Sequence, residues 1–392
     1  MVKPTGSSGK IRVGLIFGGR SSEHEVSLMS ARSVMDAINR DRFEIVPIGI
    51  TKEGRWIAGR DPLRALETAA QKLPALATGY PVRRAALLGE PGHGALMDVA
   101  TTSKHSLVLS AVERLDVILP ILHGPYGEDG TVQGLLELAG LPYVGAGVVG
   151  SAVAMDKGLF KKVMQAEGIP ILPYVVVLRS DWEHSPGVTL DMLEERLHFP
   201  IFTKPANLGS SVGINRCANR RQLAVGLDEA GRFDRRLVVE QGIEAREIEV
   251  SVLGNDNPIA SIAGEILPGR EFYSYQAKYL DHGEDASRLL IPAPISAELM
   301  DHAQRWAVQA YRAIDCAGMA RVDFLLDRYS GALYLNEMNT IPGFTAISMY
   351  PKLWEASGLT YSELIERLID LALERHEDRA RTLTSYDRGA EA

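Results

Sequence analysis

Short apolar runs and helix-spaced apolar positions alternate along the first 150 residues. Continuous apolar runs occur in residues 10–17, in FEIVPIGI and in LDVILPILHG, and each predicts a buried strand. The intervening stretch SSEHEVSLMSARSVMDAI begins with capping serines and continues with apolar residues at helical spacing, which predicts a helix. Because strand and helix signals alternate, we expect an α/β fold with an N-terminal doubly wound parallel sheet.

The same patterns organise the rest of the chain. Residues 52–110 are less regular and form an apparent insertion, in which SLVLSA indicates an edge strand. The run TVQGLLELAGLPYVGAG predicts a helix, a glycine stop and a strand, and SAVAMDKGLFKKVMQAEGIP predicts one helix that carries Lys157. We therefore place domains at residues 1–147, 148–239 and 240–392, with a disordered arm at 1–9. A charged, frayed tail is expected after Arg375.

Composition narrows the class of protein. The chain has 392 residues, of which 46% are hydrophobic and 23% are charged, as in an ordinary globular protein of two or three domains. A net charge of −8 argues against a nucleic-acid-binding surface. Cys217 and Cys316 match neither a disulfide framework nor a zinc site. No stretch approaches the ~20 apolar residues of a membrane span, so we expect a cytoplasmic enzyme.

Polar positions at period two stand out in residues 321–344. RVDFLLD and ALYLNEMN flank the turn-prone RYSG and predict a β-hairpin. Arg321 and Asp323 would share one face of the first strand, and Glu337 and Asn339 one face of the second. If the two faces coincide, their oxygen atoms would suit a hard cation such as Mg²⁺. A solvated hairpin face is the alternative.

A Gly/Ser loop in TKPANLGSSVG offers backbone N–H groups and hydroxyls to phosphate oxygens. Lys204 and Lys157 would add positive charge. In LVVEQGIEAREIEV, Glu240 lies at a strand end, where its carboxylate or a neighbouring carbonyl could accept from an adenine amino group. Glu247 could accept from ribose hydroxyls. Each carboxylate could instead lie on the surface.

Two polar stretches follow strand ends of the first sheet, where α/β folds bind ligands. Glu23 follows the first strand, and His123 opens HGPYGEDG after a later one. Glu23 could merely stabilise the first turn of a helix, and His123 could be a packed strand-end histidine. Further along, residues 269–291 are polar, aromatic and poorly periodic, which predicts an ordered loop or lid.

Assembled in order, these motifs resemble the D-alanine–D-alanine ligase family of the ATP-grasp superfamily. The resemblance spans about residues 10–372 and is carried by residues 18–31, 122–145, 155–157, 204–213, 275–279, RVDFLLD and NEMNTIPGFT. It implies a three-domain ATP-grasp architecture that joins two D-alanines for peptidoglycan synthesis. It also implies ATP, two Mg²⁺ ions with Mn²⁺ as a substitute, and a homodimer.

The resemblance assigns roles to residues at matching positions. The metal ligands would be Asp323, Glu337 and Asn339. ATP would contact Lys157, Lys204, Ser211, Glu240, Gln241, Ile243 and Glu247. The catalytic groups would be Glu23, Ser210, Tyr279, Arg321 and the backbone N–H of Gly343. The substrate would contact His123, Lys278, Ser348 and Met349.

Three other functions stay open at this point. The first is a D-alanine–D-lactate-type ligase, although Tyr279 in YQAKY favours an amine acceptor, because relatives that make D-alanyl-D-lactate depart from this lid motif. Another ATP-grasp carboxylate ligase, such as a biotin-carboxylase-like or purine-pathway enzyme, would share the metal hairpin but should lack EHEVS and YQAKY. A nucleotide-binding sensor that retains the fold is the non-enzymatic alternative.

Overall fold

The structure is a computed structural model that describes residues 9–70, 82–92, 94–101, 106–267 and 288–383. Its strands are β1 Ile11–Gly18, β2 Phe43–Ile50, β3 Trp56–Gly59, β4 Val82–Leu87, β5 Ala95–Thr101, β6 Leu107–Arg114, β7 Val117–Ile121, β8 Tyr174–Leu178, β9 Ile201–Pro205, β10 Asn215–Cys217, β11 Arg236–Gln241, β12 Ala245–Gly254, β13 Ile259–Leu267, β14 Arg288–Leu290, β15 Gly318–Asp327 and β16 Leu333–Asn339. Its helices are α1 His24–Ala37, α2 Pro62–Ala70, α3 Thr131–Leu138, α4 Val148–Met155, α5 Lys157–Ala166, α6 Arg179–His184, α7 Pro186–Arg196, α8 Arg220–Gly231, α9 Ala297–Ala313, α10 Met349–Ala356 and α11 Tyr361–Arg379.

The first sheet is mixed rather than wholly parallel. Its strand order is β6-β5-β4-β3-β2-β1-β7, and only β2, β1 and β7 are parallel. The strands of the predicted insertion, β3 to β6, extend the sheet in antiparallel fashion. Only residues 51–55 join β2 to β3, which is too short for a parallel crossover. The predicted edge strand is β6, which closes the sheet at that side.

Two antiparallel sheets follow along the chain. One has the order β10-β9-β11-β8, and the other β14-β13-β12-β15-β16. The chain passes from one to the other between Gln241 and Ala245, so each of the three sheets comes from one continuous stretch. The α/β class is confirmed, whereas the exact domain limits stay predictions.

Two local predictions were wrong. The single helix expected around Lys157 is two helices, because Asp156 is extended (φ −81°, ψ 97°) and its side chain caps α5 at the Leu159 N–H. Lys157 therefore lies in the first turn of α5. The strand expected in LPYVGAG is reduced to one bridge, between Ile118 and Tyr143.

The C-terminal helix α11 packs on the first sheet. Its residues Leu364 and Leu368 share a buried cluster with Val13 of β1 and Val117 of β7. We expected a frayed tail after Arg375, but the helix α11 continues for about one more turn, to Arg379, so that prediction was wrong for residues 376–379. Arg375 donates to the carbonyl oxygen of Tyr143 at 3.1 Å, and Arg379 pairs with Glu137. These contacts order the end of the helix.

Two further expectations concern residues outside the described part. The predicted arm lies there except for Gly9. Of the predicted lid, only residues 288–291 are described, and three of them form β14.

Candidate active site

A cavity of about 710 Å³ is bordered by loops at the ends of the first-sheet strands, by the Gly/Ser loop and by the hairpin β15–β16. Most of the side chains predicted from the sequence line it. They are Glu23, His123, Lys157, Ser210, Ser211, Arg321, Glu337, Asn339, Gly343, Ser348 and Met349. Residues that are up to 326 positions apart in the chain thus surround one space.

The two faces of the predicted hairpin do coincide. In the β15–β16 register, Arg321 lies opposite Asn339 and Asp323 lies opposite Glu337. The alternate residue Val322 is buried in the core behind the sheet. We call these four polar residues the hairpin patch. Their placement on one face of paired strands follows directly from the period-two pattern.

Contacts within the hairpin patch are close and charge-assisted. Arg321 donates two hydrogen bonds to the Asp323 carboxylate at 2.7 Å, and its Nε lies 2.9 Å from Glu249. Asn339 donates to Asp323 at 2.9 Å. The Glu337 carboxylate lies 3.6 Å from the Lys157 ammonium. One guanidinium therefore holds two carboxylates beside the cavity.

The oxygen atoms of the patch suit a divalent cation that is shared with phosphates. Among the residues that the structure describes, no group of three or more His, Cys, Asp or Glu side chains could hold a metal ion by itself. Mg²⁺ in nucleotide sites uses one or two carboxylates together with phosphate oxygens and water. Asp323 and Glu337, with the Asn339 amide, are such a set.

The Gly/Ser loop spans residues 206–214 between the antiparallel strands β9 and β10. Ser210 and Ser211 both have positive φ, at 52° and 58°, a conformation that side-chain-bearing residues seldom adopt. Ser210 donates from Oγ to the Glu23 carboxylate at 2.5 Å, and Lys157 donates to the Leu208 carbonyl oxygen at 2.7 Å. The loop is thus tied both to α1 and to α5.

The start of α1 differs from the expected serine cap. Glu23 itself is the N-cap residue, and its side chain makes no capping hydrogen bond. Ser21 lies outside the helix, where its Oγ accepts from the Glu23 N–H and donates to the His123 carbonyl oxygen. The Glu23 carboxylate therefore reaches the cavity and Ser210.

Lys161, Lys204 and Glu240 form a second group, the buried cluster. The Glu240 side chain is 2% exposed, and it contacts Lys204 at 2.5 Å and also Lys161. Burial raises the pKa of Glu240, but the two ammonium groups outweigh it and lower the pKa to about 2. Burial lowers the pKa of Lys161, and the contact with Glu240 opposes that effect.

Lys161 is a functional candidate that the sequence reasoning missed. It lies on the buried face of α5 with Phe160 and Met164, so a lysine at core spacing was the available signal. Its pairing also corrects the expectation for Glu240, whose carboxylate is occupied by two lysines. Any adenine contact at this position must therefore come from the backbone.

The other predicted nucleotide contacts do not line the cavity. The Gln241 side chain binds the backbone of His198, accepting at 2.9 Å and donating at 2.7 Å. Ile243 is half-buried in the connection between β11 and β12, and Glu247 is half-buried on β12. Lys278 and Tyr279 lie outside the described residues.

His123 is buried, and both of its ring nitrogens contact protein atoms. Its Nδ1 lies 2.8 Å from the Ile341 carbonyl oxygen, and its Nε2 lies 3.2 Å from the Ser30 hydroxyl. Because a carbonyl can only accept, the proton is on Nδ1 and Ser30 donates to Nε2. Burial lowers the pKa of His123, which keeps the ring neutral. This is the packed strand-end histidine considered above, and the ring has no nitrogen left for a substrate.

Glu128, in the same HGPYGEDG loop, lines the cavity as well. Its carboxylate accepts from the Gly124 N–H at 2.9 Å and from the Ile341 N–H at 3.2 Å. Burial, together with the nearby Glu23, raises the pKa of Glu128 to about 8. Its position after a strand end was predictable from the sequence, whereas its contact with Ile341 was not.

Two family models match the chain. The model described as D-ala D-ala ligase N-terminus covers residues 12–146, and the one described as D-ala D-ala ligase C-terminus covers residues 163–370. This chain belongs to the D-alanine–D-alanine ligase family. A D-alanine–D-alanine ligase of Heliobacterium modesticaldum is 48% identical over 96% of this chain and 98% of its own length. Another, of Natranaerobius thermophilus, is 46% identical over 96% and 99%.

Solved structures of family members have the same fold. The D-alanine-D-alanine ligase of Coxiella burnetii superposes with a TM-score of 0.79 and 34% identity, covering 95% of this chain and 96% of that one. The VanG D-Ala:D-Ser ligase of Enterococcus faecalis has a TM-score of 0.78 and 33% identity, covering 93% and 99%. These likenesses confirm the ATP-grasp ligase fold. Within the described residues, no helix is long and apolar enough to cross a membrane.

Proposed function

We propose that this ligase joins two D-alanines to D-alanyl-D-alanine through a D-alanyl phosphate formed from ATP. The observation that carries the proposal is the β15–β16 register, which places the hairpin patch on one face beside the cavity. The names of the relatives supply the substrate. Peptidoglycan precursor synthesis in the cytoplasm and a homodimeric state belong to the same proposal and rest on the family.

ATP binds, on this proposal, with its phosphates between the Gly/Ser loop and the hairpin patch. Lys157 already contacts both, and Lys204 exchanges Glu240 for a phosphate oxygen while Lys161 keeps Glu240 neutralised. Asp323, Glu337 and Asn339 would hold Mg²⁺. When bound, the metal neutralises the phosphate charge that repels an attacking carboxylate.

The nucleoside end of ATP is assigned to the chain around β11 and β12. Backbone groups of Glu240, Gln241 and Ile243 would contact the adenine, and Ser211 a phosphate. Glu247 would accept from the ribose hydroxyls. The support is the position of these residues at the junction between the second and third sheets.

The two D-alanines occupy opposite ends of the cavity. Glu23 anchors the ammonium of the first one by a charge-assisted hydrogen bond. The carboxylate of the second is held by the Ser348 hydroxyl and the Met349 N–H at the start of α10, where backbone N–H groups and the helix dipole favour an anion. Lys278 adds a positive charge there.

Attack of the second amine on the acyl phosphate gives a tetrahedral oxyanion, and phosphate then leaves. Arg321 and the Gly343 N–H are the donors for that oxyanion. One such donor contributes roughly 3–4 kcal/mol to the stability of the transition state. Tyr279, through Ser210 and Glu23, orients the amine, because a tyrosine pKa of about 10 makes it a poor base.

The acceptor is the point at which family members differ. The structural relative from Enterococcus faecalis is described as a D-Ala:D-Ser ligase, and a D-lactate acceptor was the sequence-based alternative. A phosphate-release assay with ATP, Mg²⁺ and D-alanine tests the proposal, with L-alanine, D-serine, D-lactate and bicarbonate as competing substrates. Release with D-alanine alone, and a product identified as the dipeptide, is expected. ATP binding without any product would support a sensor instead, and release with bicarbonate another ATP-grasp ligase.

A further inference from the structure

The backbone N–H and the carbonyl oxygen of Ile341 both form hydrogen bonds with side chains. Its N–H donates to the Glu128 carboxylate at 3.2 Å, and its carbonyl oxygen accepts from His123 Nδ1 at 2.8 Å. Both side chains come from the loop after β7, more than 200 residues earlier in the chain. His123 is in turn fixed by Ser30, and the second Glu128 oxygen by the Gly124 N–H. We call His123 and Glu128 the clamp.

Ile341, the residue that the clamp holds, lies two residues before Gly343. Between them is Pro342, whose ring fixes its φ near −65°. On the other side, the Phe344 carbonyl oxygen accepts from the Tyr361 hydroxyl at 2.6 Å. Few free torsions therefore remain between the gripped Ile341 and the N–H of Gly343. The position of that N–H follows the position of Ile341.

We propose that Glu128 and His123 are positioning residues, which act by holding Ile341 so that the Gly343 N–H points at the developing oxyanion. This inference rests on the proposed function, because it needs the oxyanion of dipeptide formation. Neither side chain touches the reacting atoms in this role. A displacement of about 1 Å in a catalytic group is enough to cost up to a hundredfold in rate.

The chemistry of Glu128 fits this task better than a neutral side chain would. Both Glu128 oxygens face an N–H donor, of Gly124 and of Ile341, and only the ionised carboxylate satisfies both, so the clamp is complete above the raised pKa of about 8. A glutamine has one acceptor and one donor, so its amide would oppose one of the two N–H groups. The substitution E128Q thus releases one side of the clamp at nearly constant volume.

The neighbouring Asp129 provides a matched control. Its carboxylate also accepts from two backbone N–H groups, of Tyr126 at 2.8 Å and Thr131 at 3.0 Å, but both belong to its own loop. D129N therefore removes a carboxylate and the same type of contact from the loop without touching Ile341. A general weakening of the loop would appear in both variants.

The experiment compares wild type, E128Q and D129N in three measurements above pH 8, where Glu128 is ionised. These are the steady-state rate of D-alanyl-D-alanine formation, ATP affinity by calorimetry, and positional isotope exchange in ATP, which reports formation of the acyl phosphate. E128Q should lower kcat by about ten- to hundredfold. Its ATP affinity, KM for ATP and isotope exchange should stay within about threefold of wild type, and D129N should stay within about threefold in all three measurements.

Three results would contradict the proposed positioning role of the clamp. The first is an unchanged kcat in E128Q, and the second is an equal loss of kcat in E128Q and D129N. The third is a loss of isotope exchange or of ATP binding that matches the loss of kcat in E128Q. The last would mean that Glu128 supports the fold or the first step. No dipeptide from the wild type would overturn the proposed function, and the clamp's role with it. An active wild type with an unaffected E128Q would overturn the clamp alone.

Discussion

The hairpin patch and the buried cluster are both made of carboxylates beside cations, yet they differ in access. In the patch, the side chains of Arg321 and Glu337 are 16% and 31% exposed and border the cavity, and Asp323, 13% exposed, lies beside Arg321. In the buried cluster, Lys161 and Glu240 are each 2% exposed. Charged groups of the hairpin patch can therefore contact a ligand, whereas those of the buried cluster contact only one another.

This difference separates groups that act on a substrate from groups that hold the site in shape. A charge at the cavity can exchange its protein partner for a phosphate or an oxyanion. A charge in the interior cannot lose its partner without a large desolvation cost. Lys204 stands between the two, since its side chain is 11% exposed and also lies 3.5 Å from Asn336 of the hairpin. We expect it to be the member that changes partners.

The largest effect is expected on the reaction itself, from Arg321→Met. Removal of one oxyanion donor should lower the rate of dipeptide formation by about 10²–10³-fold. Arg321→Lys keeps the positive charge and should recover part of the rate. Calorimetric ATP binding shows whether each variant is folded. A rate within tenfold of wild type for Arg321→Met would remove this residue from the chemistry.

The next effect is expected on stability, from Lys161→Met. Loss of one partner of a buried charge costs about 3 kcal/mol of unfolding free energy, measured by denaturant titration at pH 7. The pKa of Glu240 is lowered from 4.5 to about 2 by its lysines, so this stabilisation is full above pH 4.5 and is lost as the pH falls towards 2. The wild type should therefore lose its advantage over Lys161→Met in acid. An advantage that does not change with pH would contradict the charge pairing.

A smaller effect is expected from Glu337→Gln, which keeps the size of the side chain and removes one anionic ligand. The Mg²⁺ concentration for half-maximal activity should rise by at least about tenfold, and excess metal should restore much of the rate. Asn336→Asp is unsuitable as a control because it adds charge beside Lys204. Glu244→Gln, an exposed carboxylate outside the cavity, should leave the metal requirement unchanged. An unchanged requirement in Glu337→Gln would exclude it as a ligand.

The smallest effect on the unfolding free energy is expected from Arg42→Ala, at an exposed ion pair. Arg42 pairs with Glu366 at 2.5 Å and with Asp370 at 2.9 Å, and its side chain is 43% exposed. Exposed pairs of this kind contribute less than about 1 kcal/mol. Arg42→Ala should therefore lower the unfolding free energy by less than that amount and leave dipeptide formation intact. A larger loss would show that exposure is a poor guide to the role of a charge here.

The hairpin patch was predictable because its information is local. A period-two pattern and a turn signal paired Arg321 with Asp323 and Glu337 with Asn339, and the register of the hairpin then brought the two pairs to one face. The α/β class was predictable from the alternation of strand and helix signals. The first sheet was predicted only in part, because the irregular composition of residues 52–110 hides the antiparallel strands β3, β4 and β5 and shows only the edge strand β6.

The contacts that were missed join distant parts of the chain. Glu128 meets Ile341 across 213 positions, and Lys161 meets Glu240 across 79. No local pattern shows which strand end will face which loop, so a pairing of this kind becomes visible only after folding. The break at Asp156 is different, since an aspartate just before a lysine-rich helix is a capping signal that was present in the sequence.

The most direct test compares the rates of D-alanyl-D-alanine formation in Arg321→Met and Lys161→Met. Both rates are measured at saturating ATP and at a temperature below the thermal unfolding midpoint of either variant. If the hairpin patch acts on the reaction and the buried cluster acts on the fold, Arg321→Met should lose at least about a hundredfold. Lys161→Met should keep its rate within about tenfold of wild type, a difference of 1.4 kcal/mol or less. Equal losses of rate in the two variants would contradict the conclusion that the hairpin patch acts on the substrate and the buried cluster stabilises the fold.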